Sequence, residues 1–383
     1  MTASAPSGLS SVGIVGGSLA GLFHAVALTA LGLDVDVWER SGGRPADRGA
    51  GIVLQPAVAR FLREFCGVEP DRVTVPVTHR QYFAADGGVD VLPMRQQMIS
   101  WGTIHQALRD ALPAGRYHGG QPVTGLAHRP DGATVRVGGA DRAVDLAILA
   151  DGSGSRHRGL VAPAGAPRYA GYVAHRGVVD EADLPRELVA RFDGRFSFWD
   201  GDRSQFLCYF IPGDHGAVAA GRRRLNWVWY ARADRSELDR LTTDRHGVRH
   251  GLSLPPGLLD PRVGADLLAR ARATLPEPLR RLVEHTAEPF VQAILDAHAD
   301  RMRDRRILLT GDAAFVVRPH TAAATEKAAA EALTLHRALR EAPSTDAALR
   351  AWERLSLAEA TAIHRQGVGL GRRLGLDSPE ATG

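Results

Sequence analysis

A glycine-rich turn near the start of the chain and an acidic residue beyond it could together bind a dinucleotide. The turn, GGSLAG at residues 16–21, follows the apolar run 12–15 and opens a small-residue helix predicted over 19–31. The first backbone N–H groups of such a helix attract a pyrophosphate. Glu39 ends a second predicted strand, about 20 residues on, where a carboxylate accepts hydrogen bonds from a ribose.

Each position of the turn has a physical reason to lie against a cofactor. Glycine at position 16 permits the tight strand-to-helix turn, and glycine at position 21 permits close packing of helix on strand. Ser18 stands where the dinucleotide motif has its middle glycine, and serine is the smallest polar replacement. The residues predicted to contact a pyrophosphate are Gly16, Ser18, Leu19, Ala20 and Gly21. A plain βαβ unit with a glycine turn remains the alternative.

Two more acidic residues follow apolar, strand-like runs later in the chain. The run 143–149 leads to Asp151 and Gly152, and the run 306–310 leads to Gly311 and Asp312. Ligands of open parallel sheets bind beyond the carboxyl ends of the strands. Asp151 and Asp312 are therefore expected at the same sheet edge as the glycine turn.

The elements around these motifs predict a mixed α/β (α+β) fold. Aromatic-rich strand-like runs fill residues 168–298 and predict an antiparallel sheet with one face over a ligand. Apolar periodicity and composition predict helices elsewhere. Their ranges are 55–65, 100–112, 267–285, 321–340 and 345–373.

Composition limits the possible partners. The 47 Lys and Arg residues against 43 Asp and Glu give a dispersed net charge of +4, with no basic block that predicts nucleic-acid binding. The densest basic run, 222–224, is interpreted as a solvated turn. Cys66 and Cys208 lack metal-ligand spacing, so no metal site is predicted. Neither a membrane span nor a leader sequence is indicated, which predicts a cytoplasmic protein.

The glycine turn with Glu39-Arg40, the run DGSGSRHR at 151–158, and GDAA at 311–314 followed by Pro319 occur in a diagnostic order. This trio resembles the FAD-dependent aromatic hydroxylases of the para-hydroxybenzoate hydroxylase type, the class A flavoprotein monooxygenases. The runs GYVAHRG at 171–177, RLNWVWY at 224–230 and RPHTAAA at 318–324 resemble the 2,6-dihydroxypyridine 3-monooxygenase branch.

The resemblance implies a Rossmann-like FAD-binding domain interleaved with an antiparallel-sheet substrate domain and a C-terminal helical segment. The FAD-binding parts would be 1–75, 99–167 and 299–340. The substrate-domain parts would be 76–98 and 168–298, and the C-terminal helix would occupy 341–383.

The family's cofactor contacts carry over by position. Glu39 would bind the adenosine ribose and Arg40 would lie beside the adenine, with Arg48 near the pyrophosphate. Asp312 would hold the ribityl chain. The other expected FAD contacts are Gln106, Val123, Asp151, Ala322 and Ala324, with the Asp151 motif also a candidate for NADPH binding.

Several positions depart from the family pattern. Ala322 and Ala324 replace glycines and could crowd the flavin edge. Glu326 would bring a carboxylate near the flavin pyrimidine, where it would oppose negative charge. Trp101 and Gln106 occupy helix positions where arginine is common, so one FAD contact is expected to differ.

The implied reaction consumes NAD(P)H and O2 and hydroxylates a small, electron-rich aromatic or heteroaromatic ring through a flavin C4a-hydroperoxide. Flavin supplies the hard chemistry, and the protein positions and shields it. His320, Tyr209 and His175 are the candidate catalytic side chains. A flavoprotein with altered or lost hydroxylation and a nicotinamide-dependent dehydrogenase remain alternatives, and a homodimer is allowed.

Overall fold

The computed structural model describes residues 8–43, 51–84 and 86–377. These residues form the helices α1 Leu19–Thr29, α2 Pro56–Cys66, α3 Trp101–Ala111, α4 Arg186–Phe192, α5 Arg235–Leu241, α6 Pro261–Thr274, α7 Glu277–Glu284, α8 Ala324–Glu341 and α9 Thr345–Arg373. The first ten strands are β1 Ser11–Val15, β2 Asp34–Glu39, β3 Gly51–Val53, β4 Val75–Phe83, β5 Val89–Ser100, β6 Tyr117–Gly119, β7 Val123–Arg129, β8 Gly132–Val137, β9 Ala140–Val144 and β10 Leu146–Leu149. The others are β11 Arg168–Asp180, β12 Arg195–Gly201, β13 Ser204–Ile211, β14 Arg224–Arg232, β15 Ser253–Leu254, β16 Phe290–Asp296, β17 Arg303–Asp304 and β18 Ile307–Leu309.

A six-stranded sheet of order β17-β18-β10-β1-β2-β6 holds the three motif strands side by side. The pairs β18–β10, β10–β1, β1–β2 and β2–β6 are parallel, so their carboxyl ends share one edge. Helix α1 is buried along most of its length and packs between this sheet and α8. The small residues of α1 allow this close approach on both sides.

A nine-stranded sheet of order β15-β16-β11-β14-β13-β12-β4-β5-β3 forms the second large layer. Its pairs are antiparallel except β12–β4, as expected for the aromatic-rich region. β3, which lies in the first predicted FAD-binding segment, pairs with β5 and so belongs to this sheet. The domain boundaries themselves remain a prediction.

Two predicted elements are each divided in the structure. The run 143–149 splits into β9, which pairs with β8 in a three-stranded sheet, and β10, which joins the parallel sheet. The helix predicted over 267–285 is two helices, because Pro276 cannot continue α6.

The interpretation of residues 222–224 as a solvated turn is wrong for its middle arginine. Arg223 is only 8% exposed, and its guanidinium binds both carboxylate oxygens of Glu181, at 2.6 and 2.9 Å, and Asp193 at 2.7 Å. Within the described part of the chain, none of the helices combines the length and apolar composition that a bilayer span needs.

Candidate cofactor and substrate site

The parallel strands bring the predicted acidic residues to one edge of the sheet. Their spatial order along that edge is Asp312, Asp151, the glycine turn and Glu39. Side-chain and backbone contacts connect all four. A Cβ at Gly311 would lie 2.5 Å from the Ala20 Cβ, so the start of α1 touches the turn after β18. The sequence-derived expectation of a shared edge is therefore met by the geometry.

Gly16 and Gly21 are both required by the backbone. Gly16 has a φ of +108°, and a Cβ there would overlap the Ala150 carbonyl at the end of the neighbouring strand. A Cβ at Gly21 would overlap the Gly16 carbonyl. These two glycines let the turn and the first turn of α1 fold against each other.

Glu39 already accepts two backbone hydrogen bonds at the end of β2. Gly17 N–H donates to Oε2 at 2.8 Å, and Ser41 N–H donates to Oε1 at 2.9 Å. The carboxylate therefore lies beside the glycine turn, where its remaining lone pairs could accept hydrogen bonds from ribose hydroxyls.

The start of α1 offers donors to an anion. Ser18 is exposed and precedes the helix, but its side chain makes no capping hydrogen bond. No acidic residue lies in the first turn. The N–H groups of Leu19 and Ala20 therefore lack intrahelical partners, as at every helix start, and can bind a pyrophosphate.

Arg158 connects the ends of β10 and β18. The buried guanidinium donates to the carbonyl oxygens of Ala313 at 2.6 Å, Asp312 at 3.1 Å and Ser153 at 3.0 Å. Asp151 lies in the same turn, with Oδ1 buried and unpartnered among the described residues. Arg158 thus holds the turns after β10 and β18 together, and Asp151 Oδ1 is left for a ligand.

The turn that carries Asp312 rests on a buried ion pair. Lys327 is the only lysine in the sequence. Its Nζ donates to Gly311 O at 2.9 Å and lies 3.0 Å from Glu331 Oε1. Glu331 Oε2 accepts from Thr310 Oγ1 and Gly311 N–H at 2.5 and 2.8 Å. Desolvation raises the pKa of Asp312, and the Lys327 charge opposes that shift.

One face of the nine-stranded sheet, called here the tyrosine face, carries Tyr172, Tyr209 and Tyr230. Tyr209 packs against Phe196, with ring centroids 4.8 Å apart, in a cluster that Ala322 contacts. Tyr230 lies 6.2 Å from Tyr172 between ring centroids. Tyr209 therefore shares a face with Tyr172 and Tyr230, and its catalytic role stays a prediction.

His175 lies on the opposite face of the sheet, so it does not share the tyrosine face with Tyr209, and its catalytic role stays a prediction. Successive strand residues point to opposite sides, and His175 is an odd number of positions from Tyr172. It packs beside Trp229, and burial with the charge of Arg270 lowers its pKa to about 4. Val173, which shares its face, packs against α5 and α6.

His320 lies against the tyrosine face. Its Nε2 and the Tyr172 hydroxyl are 3.0 Å apart, and its ring centroid is 4.4 Å from that of Tyr230. Nδ1 is buried without a partner among the described residues. Burial and the charge of Arg318 lower the pKa of His320 to about 4, so the imidazole is neutral near pH 7.

The loop between His320 and α8 shows the effect of the replaced glycines. Ala322 has a φ of +51°, the left-handed conformation that glycine adopts without strain. Ala324 begins α8, whose first turn has no side-chain cap. Free N–H groups at this start lie beside the loop, and their contact with the flavin pyrimidine stays a prediction.

The Glu326 carboxylate has a structural partner. It accepts hydrogen bonds from Ala57 N–H at 2.8 and 3.0 Å and from Val58 N–H at 3.2 Å. Both donors belong to the first turn of α2. The carboxylate therefore caps that helix, and the expected opposition to flavin charge is offset by the positive end of α2.

Four further predicted contacts remain. The Gln106 amide is exposed and donates to Asp110 at 2.6 Å, and its FAD contact stays a prediction. Arg40 is exposed just after Glu39, and Val123 is half-buried at the start of β7. Arg48 lies outside the described residues.

Sequence reasoning missed four groups at the site: Tyr172, Tyr230, Asn226 and Lys327. Tyr172, Tyr230 and Asn226 occur in runs that were predicted as strands. They lie on the same face as Tyr209, so counting alternate residues along the paired strands would have identified them. The single lysine in an arginine-rich chain was the available signal for Lys327.

Known proteins share this fold. The chain is 34% identical to 2,6-dihydroxypyridine 3-monooxygenase from Paenarthrobacter nicotinovorans, over 92% of this chain and 88% of the relative. It belongs to the FAD-dependent aromatic monooxygenases. The monooxygenase is similar to the solved structure of 2,6-dihydroxypyridine-3-hydroxylase from Arthrobacter nicotinovorans, with a TM-score of 0.89 and 32% identity over 96% of this chain and 93% of that chain.

Two further matches cover different lengths of the monooxygenase. Residues 169–296 match the family described as FAD binding domain-like. The 3-amino-4-hydroxybenzoate 2-monooxygenase of Streptomyces cremeus is 29% identical over 97% of this chain and 89% of the relative. Together these relatives favour aromatic hydroxylation over a nicotinamide-dependent dehydrogenase or a flavoprotein without oxygenase activity.

The family assignment confirms FAD and NAD(P)H as the cofactors, with O2 and a small aromatic compound as the other reactants. The residues described above fit FAD. The glycine cradle and the free N–H groups of α1 suit its pyrophosphate, Glu39 suits its ribose, and Asp151 has an unpartnered buried oxygen.

Proposed function

We propose that the monooxygenase hydroxylates a phenol-like or hydroxypyridine-like ring bound between the tyrosine face and residues 319–324. The observation that carries this proposal is the His320 imidazole, held at Tyr172 through Nε2 and left with a free, buried Nδ1. A polar atom buried without a partner costs stability unless a ligand satisfies it. A ring hydroxyl is the group that fits it.

His320 is suited to increase the electron density of such a ring. A neutral imidazole has one nitrogen that donates and one that accepts. We assign the ring proton to Nε2, which then donates to the Tyr172 oxygen, so that Nδ1 accepts a hydrogen bond from the substrate hydroxyl. Partial removal of that proton makes the aromatic carbons more nucleophilic, and bound FAD supplies the reduction and oxygen activation when the site is loaded.

The surrounding side chains exclude water from the reacting ring. Tyr172, Tyr209 and Tyr230 are each at most 5% exposed, and Ala322 closes the side nearest α8. A dry site strengthens the His320 hydrogen bond and limits unproductive loss of reducing equivalents.

The test begins with the purified, yellow holoenzyme. NAD(P)H oxidation is followed with 2,6-dihydroxypyridine and simple phenols, and products are analysed for one oxygen atom from labelled O2. His320→Gln should lower kcat/KM at least ~100-fold, the scale of general acid–base catalysis. His246→Gln, at an exposed loop position, is the matched control. Unchanged turnover in His320→Gln would contradict the assigned role.

A homodimer, which the sequence allows, and a cytoplasmic location, which it predicts, also belong to this proposal. Light scattering coupled to size-exclusion chromatography tests the first, and a monomer at micromolar concentration would contradict it. Cell fractionation with an antibody to the chain tests the second.

A further inference from the structure

Several polar groups on the tyrosine face besides His320 have an atom that is buried without a partner among the described residues. Two of them, Nδ2 of Asn226 and Nε of Arg176, belong to the neighbouring strands β14 and β11. Asn226 is 1% exposed, and Arg176 is half-buried. Both atoms are hydrogen-bond donors, and native proteins seldom leave such groups unsatisfied.

The orientation of the Asn226 amide is fixed by a backbone donor. Gly51 N–H donates to Oδ1 at 3.1 Å, which leaves Nδ2 on the other side of the amide. A Cβ at Gly51 would lie 2.9 Å from Nδ2 and 2.6 Å from the Tyr209 ring. The absence of a side chain thus lets the Gly51 backbone approach both the Asn226 amide and the Tyr209 ring closely.

Arg176 brings a positive charge to the same face. It pairs across strands with Val228, which lies between Asn226 and Tyr230 on β14. Its NH1 donates to the neutral Gln292 at 3.2 Å, and no carboxylate within the described ranges forms an ion pair with it. Burial raises the pKa of Tyr230 to about 12, and the charge of Arg176 opposes that shift. The electric field of Arg176 therefore reaches the Tyr230 hydroxyl.

The carboxylate that β16 contributes to this face is already paired. Asp296 is the acidic residue of β16 on this side of the sheet, and Arg318 occupies both of its oxygens, at 2.8 and 2.6 Å. The free groups are therefore donors with net positive charge. A ligand that satisfies them presents acceptors and negative charge.

We propose that Asn226 and Arg176 form an anion-binding subsite for a second oxygen of the aromatic substrate. The substrate class is then a planar ring with one hydroxyl at His320 and a further oxyanion, ring carbonyl or carboxylate at Asn226 and Arg176. This inference rests on the proposed function, because it uses the same face of the sheet, and it adds the chemical requirement that the ring bind as an anion.

Binding is measured on the holoenzyme without NAD(P)H, by calorimetry and by the change in flavin absorbance, so turnover is not needed. The probes are 2,6-dihydroxypyridine, 6-hydroxynicotinate and 2,6-diaminopyridine. The first two distinguish a ring oxygen from a carboxylate as the acceptor, and the third replaces acceptors by donors. Either oxygen-bearing ring should bind at least ~10-fold more tightly than the diamine, the value of a charge-assisted hydrogen bond.

Two variants test the residues. Asn226→Asp keeps the acceptor for Gly51 N–H and replaces the free donor by a carboxylate, so binding of the preferred probe should weaken about 10- to 100-fold. Arg176→Met should weaken it similarly, and Arg176→Lys should recover part of the loss because the charge is retained. Arg195→Met removes the same charge from the opposite face of the sheet and should leave binding unchanged.

FAD content and the melting temperature are recorded for every variant, so that a folding defect is recognised. Equal binding of the diamine, failure of both oxygen-bearing rings to bind, or unchanged affinity in folded Asn226→Asp overturns the subsite. Tight binding that depends on Asn226 and Arg176 without oxygen transfer supports the subsite and overturns the proposed hydroxylation.

Discussion

Replacing Lys327 by methionine removes the only lysine in the chain from a site where it is 1% exposed. Methionine has a similar length and no charge. The substitution eliminates the ion pair with Glu331 and the hydrogen bond to Gly311 O. It leaves the Glu331 carboxylate buried with Thr310 Oγ1 and Gly311 N–H as its remaining donors.

The expected cost follows from the charge that is left behind. Removing one partner of a buried ion pair destabilises a protein by about 3–5 kcal/mol, because the other charge remains desolvated. Because Glu331 retains two donors, we expect the loss of unfolding free energy to lie near the lower limit, at about 3 kcal/mol. That is a large part of the total stability of a typical domain, roughly 5–15 kcal/mol.

Urea unfolding of the holoenzyme, followed by tryptophan fluorescence at a fixed excess of FAD, measures this difference. Arg60→Met is the matched control, since Arg60 and Glu64 form a pair of the same i,i+4 spacing with side chains 60% and 47% exposed. Its cost should be about 0.3–0.5 kcal/mol. FAD affinity should also fall in Lys327→Met, because Gly311 adjoins Asp312. A loss below 1 kcal/mol with unchanged FAD affinity would refute the reasoning.

Three shorter predictions test the backbone and the buried histidines. Gly16→Val should abolish FAD retention because a branched side chain cannot adopt φ +108°, and a normal flavin absorbance ratio after purification would contradict this. Ala322→Gly should raise the free energy of unfolding by up to about 1 kcal/mol, measured by urea titration, by relieving left-handed strain. Unfolding free energy should fall as pH drops from about 6.5 towards 4, because His175 and His320 have folded pKa values of about 4 and the unfolded chain binds their protons first. Urea midpoints that do not change over that range would contradict the third prediction.

The cofactor half of the site could be predicted from sequence because its geometry is a property of parallel sheets. An acidic residue directly after a buried strand lies at the carboxyl edge whatever the strand order. Asp151, Asp312 and Glu39 needed only that rule, and adjacency of β18, β10, β1 and β2 brings them together. Gly16 and Gly21 were predictable for the same reason, since the turn itself requires them.

The substrate half was less predictable because strand parity decides which face a side chain occupies. His175 and Arg176 are adjacent in sequence, and one lies among helices while the other lies on the tyrosine face. Neither composition nor spacing fixes parity when both faces of a strand are apolar. Burial on both sides of β11 removes the polar–apolar alternation that would have revealed it.

Long-range partners explain the remaining differences, and the loop that carries His320 shows why. Arg318, 2% exposed, binds both oxygens of Asp296 from β16 and also contacts Asp377, after the end of α9. Glu326, just beyond the loop, caps α2. Residue type alone therefore predicted a catalytic role for His320, whereas the orientation of its imidazole depends on groups from distant parts of the chain. A variant that breaks the Arg318 contacts should accordingly disturb His320 without altering any residue that touches the ring.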